Sequence, residues 1–379
     1  MNSEAFSYTF GIEEEFFLAN PTTRNAVTHM PKSFVRACRA RFGDRVQHEM
    51  LQSQVETATP ILDSPAQARD ALNALRRGVA DIANGHGLAI VAAGTHPLAA
   101  WREHLHTDKP RYDTLMDDFQ IIGRRNLLCA LHVHAGVPPG TDRVALMNRL
   151  MPWLPVLLAF STSSPFWSRQ RTGLLSYRQA AYDEWPRTGI PDFFADEPEY
   201  DAFVKLLADC GAMRDGSFLW WAIRPSSRYP TIELRIADSC TRIEDGLAIA
   251  AAFRCLVRAH VRRPELGAVR TALTRRVIDE NRWRAKRYGI DATLIDEAAA
   301  VMVDFPAMLA RLAEIIGPDA QALGCEREIA HLAEIVSHGS SAHEQLAIYR
   351  RHRDAGAARM HALQPVVDWL ITTTALASA

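Results

Sequence analysis

The sequence predicts an α+β protein with an antiparallel or mixed sheet, in which most strands precede most helices. Stretches with the apolar or alternating pattern of strands lie in the N-terminal and central parts of the chain. From about residue 243 onward, alanine, leucine and arginine dominate, and a helical period runs almost to the C-terminus. Neither GxGxxG nor GxxxxGKS/T occurs, so a nucleotide would have to bind by other means than a Rossmann or P-loop.

The individual elements follow from local signals, taken in chain order. Strand-like stretches are rich in apolar and aromatic residues or alternate in polarity, and turn residues bound them. Ser64-Pro65 begins the clearest helix, because serine caps a helix and proline suits its first turn; Gly85 and Gly87 end it. The predicted strands are 6–18, 46–59, 88–93, 127–137 and 231–237, with a turn at 20–23; the predicted helices are 31–42, 64–84 and the series from 243 onward.

The composition is that of a globular protein without a strong electrostatic preference. The 379 residues are 48 % hydrophobic and 23 % charged, with a formal net charge of −1. No global field therefore favours nucleic acid or an anionic membrane, and we expect neither as a partner. Length alone allows two domains.

Cysteine usage and the N-terminus favour a cytoplasmic location. The six cysteines are scattered without a CxxC pair, mostly in apolar surroundings, as expected for reduced thiols. The first ten residues, MNSEAFSYTF, contain neither a basic region nor an apolar run, so we predict no signal peptide. The longest apolar run, Leu150–Phe160, is too short to span a membrane and contains two prolines.

An acidic strand is the most unusual feature of the chain. In GIEEEFF, Glu13 and Glu15 face one side of a strand, while Glu14 shares the other side with Ile12 and Phe16. Two carboxylates spaced in this way lie about 7 Å apart and repel by about 2 kcal/mol at an effective dielectric constant near 20. A divalent cation would turn that repulsion into an attraction. The alternative is an edge strand whose charges face water.

A second acidic stretch, HEMLQSQVETATP, contains Glu49 and Glu56. Their odd spacing puts them on opposite faces of a regular strand, so they can serve one site only if a bulge or break intervenes. Gln52-Ser53-Gln54 is a plausible place for that break, and Glu56 is the firmer candidate of the two.

Two further strands add imidazole and guanidinium groups. His132 and His134 share one face of LHVHAG. A single histidine on an apolar strand is more often a core residue than a ligand, but two on the same face favour metal binding. In TIELRIAD, Glu233 and Arg235 face away from Ile232, Leu234 and Ile236. An amphipathic strand with a solvated ion pair is the alternative there. Arg224 lies just upstream, between aromatic residues, and the grouping suits a phosphate and a metal.

Together these strands offer an oxygen-rich set of ligands with one or two imidazoles. Hard carboxylate ligands favour Mg²⁺, with Mn²⁺ as an alternative, whereas zinc usually takes more histidine or cysteine. Several such carboxylates can hold cations around a triphosphate, and arginines can neutralise charge on a transferring phosphoryl group.

At these residues the chain resembles the carboxylate–amine ligase family, also called the type 2 glutamate–cysteine ligases. The resemblance rests on FGIEEEFFL at 10–18, SQVETATP at 53–60, LHVHAGVP at 131–138, RPSSRYPTIELRIAD at 224–238 and ENRWRAKRYGIDA at 280–292. It implies a glutamine synthetase-like catalytic domain over residues 1–379, with a curved sheet around ATP and magnesium ions. It also implies that ATP joins a small-molecule carboxylate to an amine through an acyl phosphate, as in making γ-glutamylcysteine from L-glutamate and L-cysteine.

The resemblance also implies roles for particular residues. Arg235 and Arg224 would contact phosphates and act in catalysis, and His134 would contact nucleotide or metal. The implied metal ligands are Glu13, Glu15, Glu49, Glu56, His132 and Glu233. Arg169, Arg178 and Trp185 are candidates for gripping a substrate carboxylate, with a surface ion pair as the alternative for each arginine. The chain departs from the family pattern at Ala222, where many members have an acid in a WDxRP-like motif.

The segment at about 165–215 is predicted to be an irregular, lid-like insertion with some helix, since it is rich in Pro, Asp, Tyr and Trp. A disordered loop is the alternative. The helix-rich part at about 243–379 and the need to cover sheet edges favour a homodimer.

Two other functions remain open from the sequence. A metal-dependent hydrolase would explain the HxH pair, although such proteins usually add further histidines and an aspartate at later strand ends. An ATP-binding protein with little ligase activity is the second alternative.

Overall fold

A seven-stranded antiparallel sheet forms the framework of the computed structural model, which describes residues 6–376. Residues 1–5 and 377–379 lie outside the described residues. The first range belongs to the segment for which no signal peptide is predicted, and the second to the end of the predicted helical part. Two additional two-stranded hairpins occur. The strands are β1 Phe10–Ala19, β2 Val46–His48, β3 Gln54–Ala58, β4 Ala89–Val91, β5 Leu131–Gly136, β6 Phe166–Trp167, β7 Gln170–Arg171, β8 Ile223–Pro225, β9 Thr231–Leu234, β10 Leu294–Asp296 and β11 Val301–Val303.

The order of the main sheet is β2-β3-β1-β5-β9-β8, with β4 paired to the end of β1. All of these pairs are antiparallel. The acidic strand β1 is therefore central and not an edge, because β3 lies on one side of it and β5 on the other. The predicted α+β class with an antiparallel sheet is confirmed.

Helices surround the sheet and make up most of the C-terminal part. They are α1 Lys32–Phe42, α2 Pro65–Gly85, α3 Pro110–Phe119, α4 Ile121–Arg124, α5 Arg143–Leu150, α6 Leu154–Ser161, α7 Tyr177–Tyr182, α8 Glu197–Asp209, α9 Ile243–Arg262, α10 Ala272–Tyr288, α11 Phe305–Leu323, α12 Glu326–His338, α13 Ser341–Asp354 and α14 Arg359–Ala375. Ser64 caps α2 as predicted, since its hydroxyl accepts from the Gln67 amide at 3.4 Å.

One face of the sheet is buried against helices. Ile12, Glu14 and Phe16 of β1 point to that face and are at most 1 % exposed. The Glu14 carboxylate there accepts two hydrogen bonds from Arg76 of α2, at 2.6 and 3.0 Å. Helix α9, buried on almost every side, packs against α2, α11, α12 and β5. The opposite face of β1, with Glu13 and Glu15, is left for the cleft described below.

Several predicted elements differ from the structure in detail. The extended stretch 46–59 is a hairpin, with β2 and β3 separated by a break at 49–53. The insertion at about 165–215 contains the β6–β7 hairpin, α7 and α8, joined by irregular chain. The C-terminal part also contains the β10–β11 hairpin, which the helical period did not predict.

By length and composition alone, the stretch Arg143–Ser161 could cross a membrane. However, 78 % of its most apolar 18-residue window is buried inside the fold. Two short helices, α5 and α6, separate within it at Pro152, so it forms part of the protein core.

Candidate active site

A row of polar side chains crosses the open face of the sheet, set by the strand register. Glu15 of β1 lies directly opposite Glu56 of β3, and Glu13 lies opposite His132 of β5. His134 of β5 is opposite Glu233 of β9, which in turn is opposite Arg224 of β8. Since directly opposite residues point to the same face, five neighbouring strand segments contribute to one surface.

This surface forms the floor of a cleft with a volume of about 840 Å³. All but one of the residues predicted for the site line it, namely Glu13, Glu15, Glu49, Glu56, His132, His134, Arg178, Trp185, Arg224, Glu233 and Arg235. The exception is Arg169. A smaller cavity of about 270 Å³ shares Asp44, Gln47 and Arg228 with the cleft.

The break between β2 and β3 brings Glu49 to the same side as Glu56. Glu49 leaves the ladder after His48, and its own carboxylate accepts from the Met50 amide at 3.0 Å. Thr107 also donates to the Glu49 carbonyl at 2.7 Å. The predicted interruption is therefore present and resolves the odd spacing of the two acids.

Two of the carboxyl groups in the cleft hold their protons unusually tightly. Burial, followed by the charge of Glu49, raises the pKa of Glu15 to about 8. Burial also raises the pKa of Glu56 well above its ordinary value, and the charges of Glu13 and Glu49 add to this effect. The positive groups of the protein therefore do not fully neutralise the negative charge of these neighbouring carboxylates.

Glu13 behaves differently because the two histidines face it. Its carboxylate lies 3.4 Å from His132 Nδ1 and 3.6 Å from His134 Nε2. Although burial opposes the shift, hydrogen bonding to these imidazoles lowers the pKa of Glu13 well below its ordinary value. Burial, with the charge of Arg235, lowers the pKa of His132 to about 4, so this imidazole is neutral near pH 7.

The donor set fits a hard divalent cation. Glu13, Glu15, Glu49 and Glu56 supply carboxylate oxygens, and a neutral imidazole is the form of histidine that binds metals. The buried Nε2 of His132 has no hydrogen-bond partner among the described residues. Across residues 6–376, no three acidic, histidine or cysteine side chains already form a metal-binding cluster. The fit therefore rests on donor chemistry and on the unpaired nitrogen.

Glu233 joins the two predicted catalytic arginines. Arg224 donates to both of its oxygens at 2.7 and 3.0 Å, and Arg235 donates to one at 2.5 Å. Despite burial, the charges of Arg235 and Arg224 lower the pKa of Glu233 far below its ordinary value. A carboxylate has about four lone-pair sites, so the paired Glu233 keeps acceptor capacity toward the cleft.

The insertion supplies the opposite wall of the cleft. Arg178 on α7 is 2 % exposed, and its guanidinium donates to the Ile236 and Arg235 carbonyls at 3.3 and 3.2 Å. Trp185, just after α7, is also buried at the cleft. Arg169 instead pairs with Glu103 at 2.9 Å outside the cleft, which is the surface ion pair anticipated as its alternative. Ala222 lies in the apolar core and does not line the cleft.

The ENRWRAKRYG motif holds this insertion in place. Arg282 and Lys286 on α10 both contact the Asp183 carboxylate at the end of α7, Lys286 at 2.8 Å. Arg282 also donates to the Gln179 side chain at 2.8 Å. The motif therefore anchors α7 instead of lining the cleft.

Sequence reasoning missed several lining residues. Tyr182 lies one helical turn after Arg178, and its hydroxyl accepts from Arg235 at 3.3 Å; the helical spacing was a usable signal. Arg45 and Arg228 line the cleft without an ion-pair partner among the described residues. Met50, Tyr112, Leu115 and Trp220 come from separate segments, so no local pattern groups them.

Known proteins share both this sequence pattern and this fold. The sequence profile of glutamate–cysteine ligase family 2 matches residues 9–363. The chain belongs to this family. A family 2 relative from Ectopseudomonas mendocina (strain ymp), named "Putative glutamate–cysteine ligase 2", is 46 % identical over 369 residues, covering 97 % of each chain.

Solved structures extend the family 2 fold to more distant ligases. A bifunctional glutathione synthetase from Pasteurella multocida matches with a TM-score of 0.69 and 13 % identity, covering 97 % of this chain and 52 % of that one. This chain thus spans about half of that protein. A glutamate–cysteine ligase from Francisella tularensis, solved in complex with AMP, matches with a TM-score of 0.67 and 12 % identity, covering 97 % of this chain and 89 % of that one. These likenesses show the fold, and membership of family 2 places the chain among ATP-dependent ligases.

Proposed function

We propose that the cleft catalyses the ATP-dependent joining of a small-molecule carboxylate to an amine, through an acyl phosphate. L-Glutamate and L-cysteine are the first substrates to test, because the family and its relatives carry their names. The observation that carries the proposal is one sheet face that presents Glu13, Glu15, Glu56, two histidines and Glu233 with its two arginines, with Glu49 beside it in the cleft.

Glu13, Glu15, Glu49, Glu56, His132 and Glu233 would hold Mg²⁺, or Mn²⁺ in its place. A cation held by these residues would supply positive charge to neutralise the phosphates during phosphoryl transfer. Without a cation the acids repel one another, and the raised pKa values of Glu15 and Glu56 support that assignment.

Arg235 and Arg224 would stabilise the transferring phosphoryl group. Glu233 already holds both guanidinium groups in place, so they would need little reorientation when the nucleotide binds. A substrate carboxylate oxygen attacks the γ-phosphorus, and ADP leaves. His134, hydrogen-bonded to Thr231 Oγ1 at 3.0 Å, would contact the nucleotide.

The second step would form the amide bond. The amine nitrogen would attack the acyl carbon, inorganic phosphate would leave with the electron pair of the broken carbon–oxygen bond, and the nitrogen would lose its proton to that phosphate or to water. Arg178 and Trp185 border the part of the cleft where the substrates would meet. The Arg178 guanidinium already donates to two backbone carbonyls, so these residues would shape the cleft and would not bind a substrate charge.

We further propose that the chain acts as one catalytic domain and functions as a cytoplasmic homodimer. The six cysteines are scattered and free, and five of them are buried, which supports a reducing location. Sedimentation at micromolar concentration checks the dimer, and a clean monomer would end that part of the proposal.

The test of the function is ADP formation that depends on both substrates. Purified protein with Mg·ATP and panels of carboxylates and amines should release ADP only when an acid and an amine are both present. Glu13→Gln should abolish this release, whereas Glu103→Gln, an acid outside the cleft, should not. Nucleotide binding without turnover on any pair would reject the ligase function.

A further inference from the structure

An aromatic wall, formed by Met50, Leu115, Trp185 and Trp220, closes one end of the cleft. Each residue lines the cleft and is between 4 and 9 % exposed. The Trp185 and Trp220 rings lie 5.4 Å apart at 81°. Phe119 packs behind them, with its ring 4.8 Å from Trp185 and 5.9 Å from Trp220. Interlocked rings of this kind give a preformed apolar surface.

The wall adjoins the acidic end of the sheet face. Along β1, Gly11 lies opposite His134 and Glu15 lies opposite Glu56. Met50 directly follows Glu49, and the Met50 backbone amide donates to the Glu49 carboxylate. Tyr182 packs against the wall and its hydroxyl accepts from Arg235. A group on the wall is therefore close to the proposed site of phosphoryl transfer.

The charges near the wall do not suit an anion. Arg178 donates to two carbonyls and lies 3.9 Å from Asp238, while Arg235 is paired with Glu233. Arg187 stacks on Trp220 at 5.4 Å but does not line the cleft.

The other end of the cleft is different. Arg228, which has no ion-pair partner among residues 6–376, follows β8 beside Tyr229. The Tyr229 ring lies 6.0 Å from that of His134. An anionic group is therefore better accommodated at the His134 end, and an uncharged group at the aromatic wall.

We infer that the amine substrate is a primary amine carried on an aromatic or bulky aliphatic group, which packs against the aromatic wall. This inference rests on the proposed ligase function. An amine attacks only in its uncharged form, so the ammonium group gives up a proton to water before the nitrogen lone pair forms the bond to the acyl carbon and phosphate leaves. The wall orients the amine for this attack by holding its apolar group.

The first test uses the unaltered enzyme with L-glutamate and Mg·ATP. ADP formation is compared for 2-phenylethylamine, isobutylamine, glycine and L-cysteine. We expect kcat/KM for 2-phenylethylamine to exceed that for L-cysteine by about tenfold or more, the factor that corresponds to about 1.4 kcal/mol. A higher value for L-cysteine or glycine overturns the inference and leaves the ligase function intact.

If no amine supports ADP formation with L-glutamate or with any other carboxylate of the panel, the ligase function fails, and calorimetry decides the inference separately. Binding of 2-phenylethylamine that is tighter than that of glycine supports the aromatic wall as an amine site. Equal or absent binding overturns it.

The second test compares two neighbouring tryptophans. Trp220 lines the cleft, whereas Trp221 stacks on Phe203 at 6.0 Å in the core and does not. Trp220→Leu should raise KM for 2-phenylethylamine about tenfold with KM for ATP unchanged. Trp221→Leu should change neither KM.

A rise in KM for ATP alone in Trp220→Leu would assign the wall to the nucleotide base and overturn the inference. Leu115→Gln, a change of similar volume at the same wall, should also raise the amine KM and replaces Trp220→Leu if that variant does not fold.

Discussion

Glu15 and Glu56 lie directly opposite each other in the ladder between β1 and β3, and both line the cleft. Like charges at directly opposite positions destabilise a sheet, and burial makes this pair costlier still. The protein alone does not compensate for this crowding, since the pKa of both groups is raised. A bound cation gives a reason for the arrangement.

Replacing Glu56 by glutamine should stabilise the metal-free protein and inactivate it. The raised pKa of Glu56 means that this group must take up a proton on folding near pH 7, which costs stability. Glutamine is neutral without that proton, so urea unfolding at pH 7 with a chelator present should require a higher denaturant concentration. Turnover should fall by about 10²–10³-fold. A variant that is less stable and retains normal turnover would contradict the cation-binding role.

The metal-free protein should lose stability as the pH rises from about 5 to 8. The folded pKa of Glu15 is about 8, above its ordinary value of 4.5, so its proton stabilises the fold at low pH. That contribution is fully present below the unfolded pKa and is lost as the pH rises through the folded pKa.

Urea unfolding of the unaltered protein and of Glu15→Gln, both with a chelator, measures this effect at pH 5.5, 7 and 8. The slope of the unfolding free energy against pH should be smaller in Glu15→Gln. Identical slopes in the two proteins would contradict the assignment.

Glu14 should matter for the fold and not for the chemistry. Its carboxylate is buried with Arg76, whose remaining donors bind the Cys240 and Thr241 carbonyls at 2.7 and 2.8 Å. Glu14→Gln leaves a buried guanidinium without its counter-charge and should cost about 3–5 kcal/mol in unfolding free energy. The folded fraction should keep its Mg²⁺ dependence; a changed Mg²⁺ dependence with unchanged stability would reverse the assignment.

Arg235→Lys should reduce kcat by about 10²-fold or more while the protein remains folded. Lysine keeps the charge but loses the planar fork that contacts both Glu233 and Tyr182. Circular dichroism checks the fold, and Arg169→Lys, at the ion pair outside the cleft, serves as the control with near-normal kcat. An equally active Arg235→Lys enzyme would remove Arg235 from the proposed mechanism.

The sequence predicted the acidic face well, because strand alternation is a local property. Glu13 and Glu15 on one side of β1, and Glu14 on the other, follow from the period of two alone. The break that brings Glu49 to the side of Glu56 was the condition for both acids to serve one site, and the odd spacing alone did not show that it exists.

Other parts of the cleft depend on tertiary structure that no local pattern encodes. Arg169 and Arg178 had equal standing in the sequence, yet only Arg178 reaches the cleft, because α7 carries it there and α10 fixes α7 through Asp183. The aromatic wall joins residues from four separate segments. Grouping them requires the folded chain.

The most direct test of the central claim follows oxygen-18 from a labelled carboxylate substrate during turnover with the amine and Mg·ATP. An acyl phosphate transfers one carboxylate oxygen to the departing phosphate. We predict label in inorganic phosphate, in step with amide product and ADP. Label in AMP, or unlabelled phosphate despite amide formation, would contradict the acyl phosphate route.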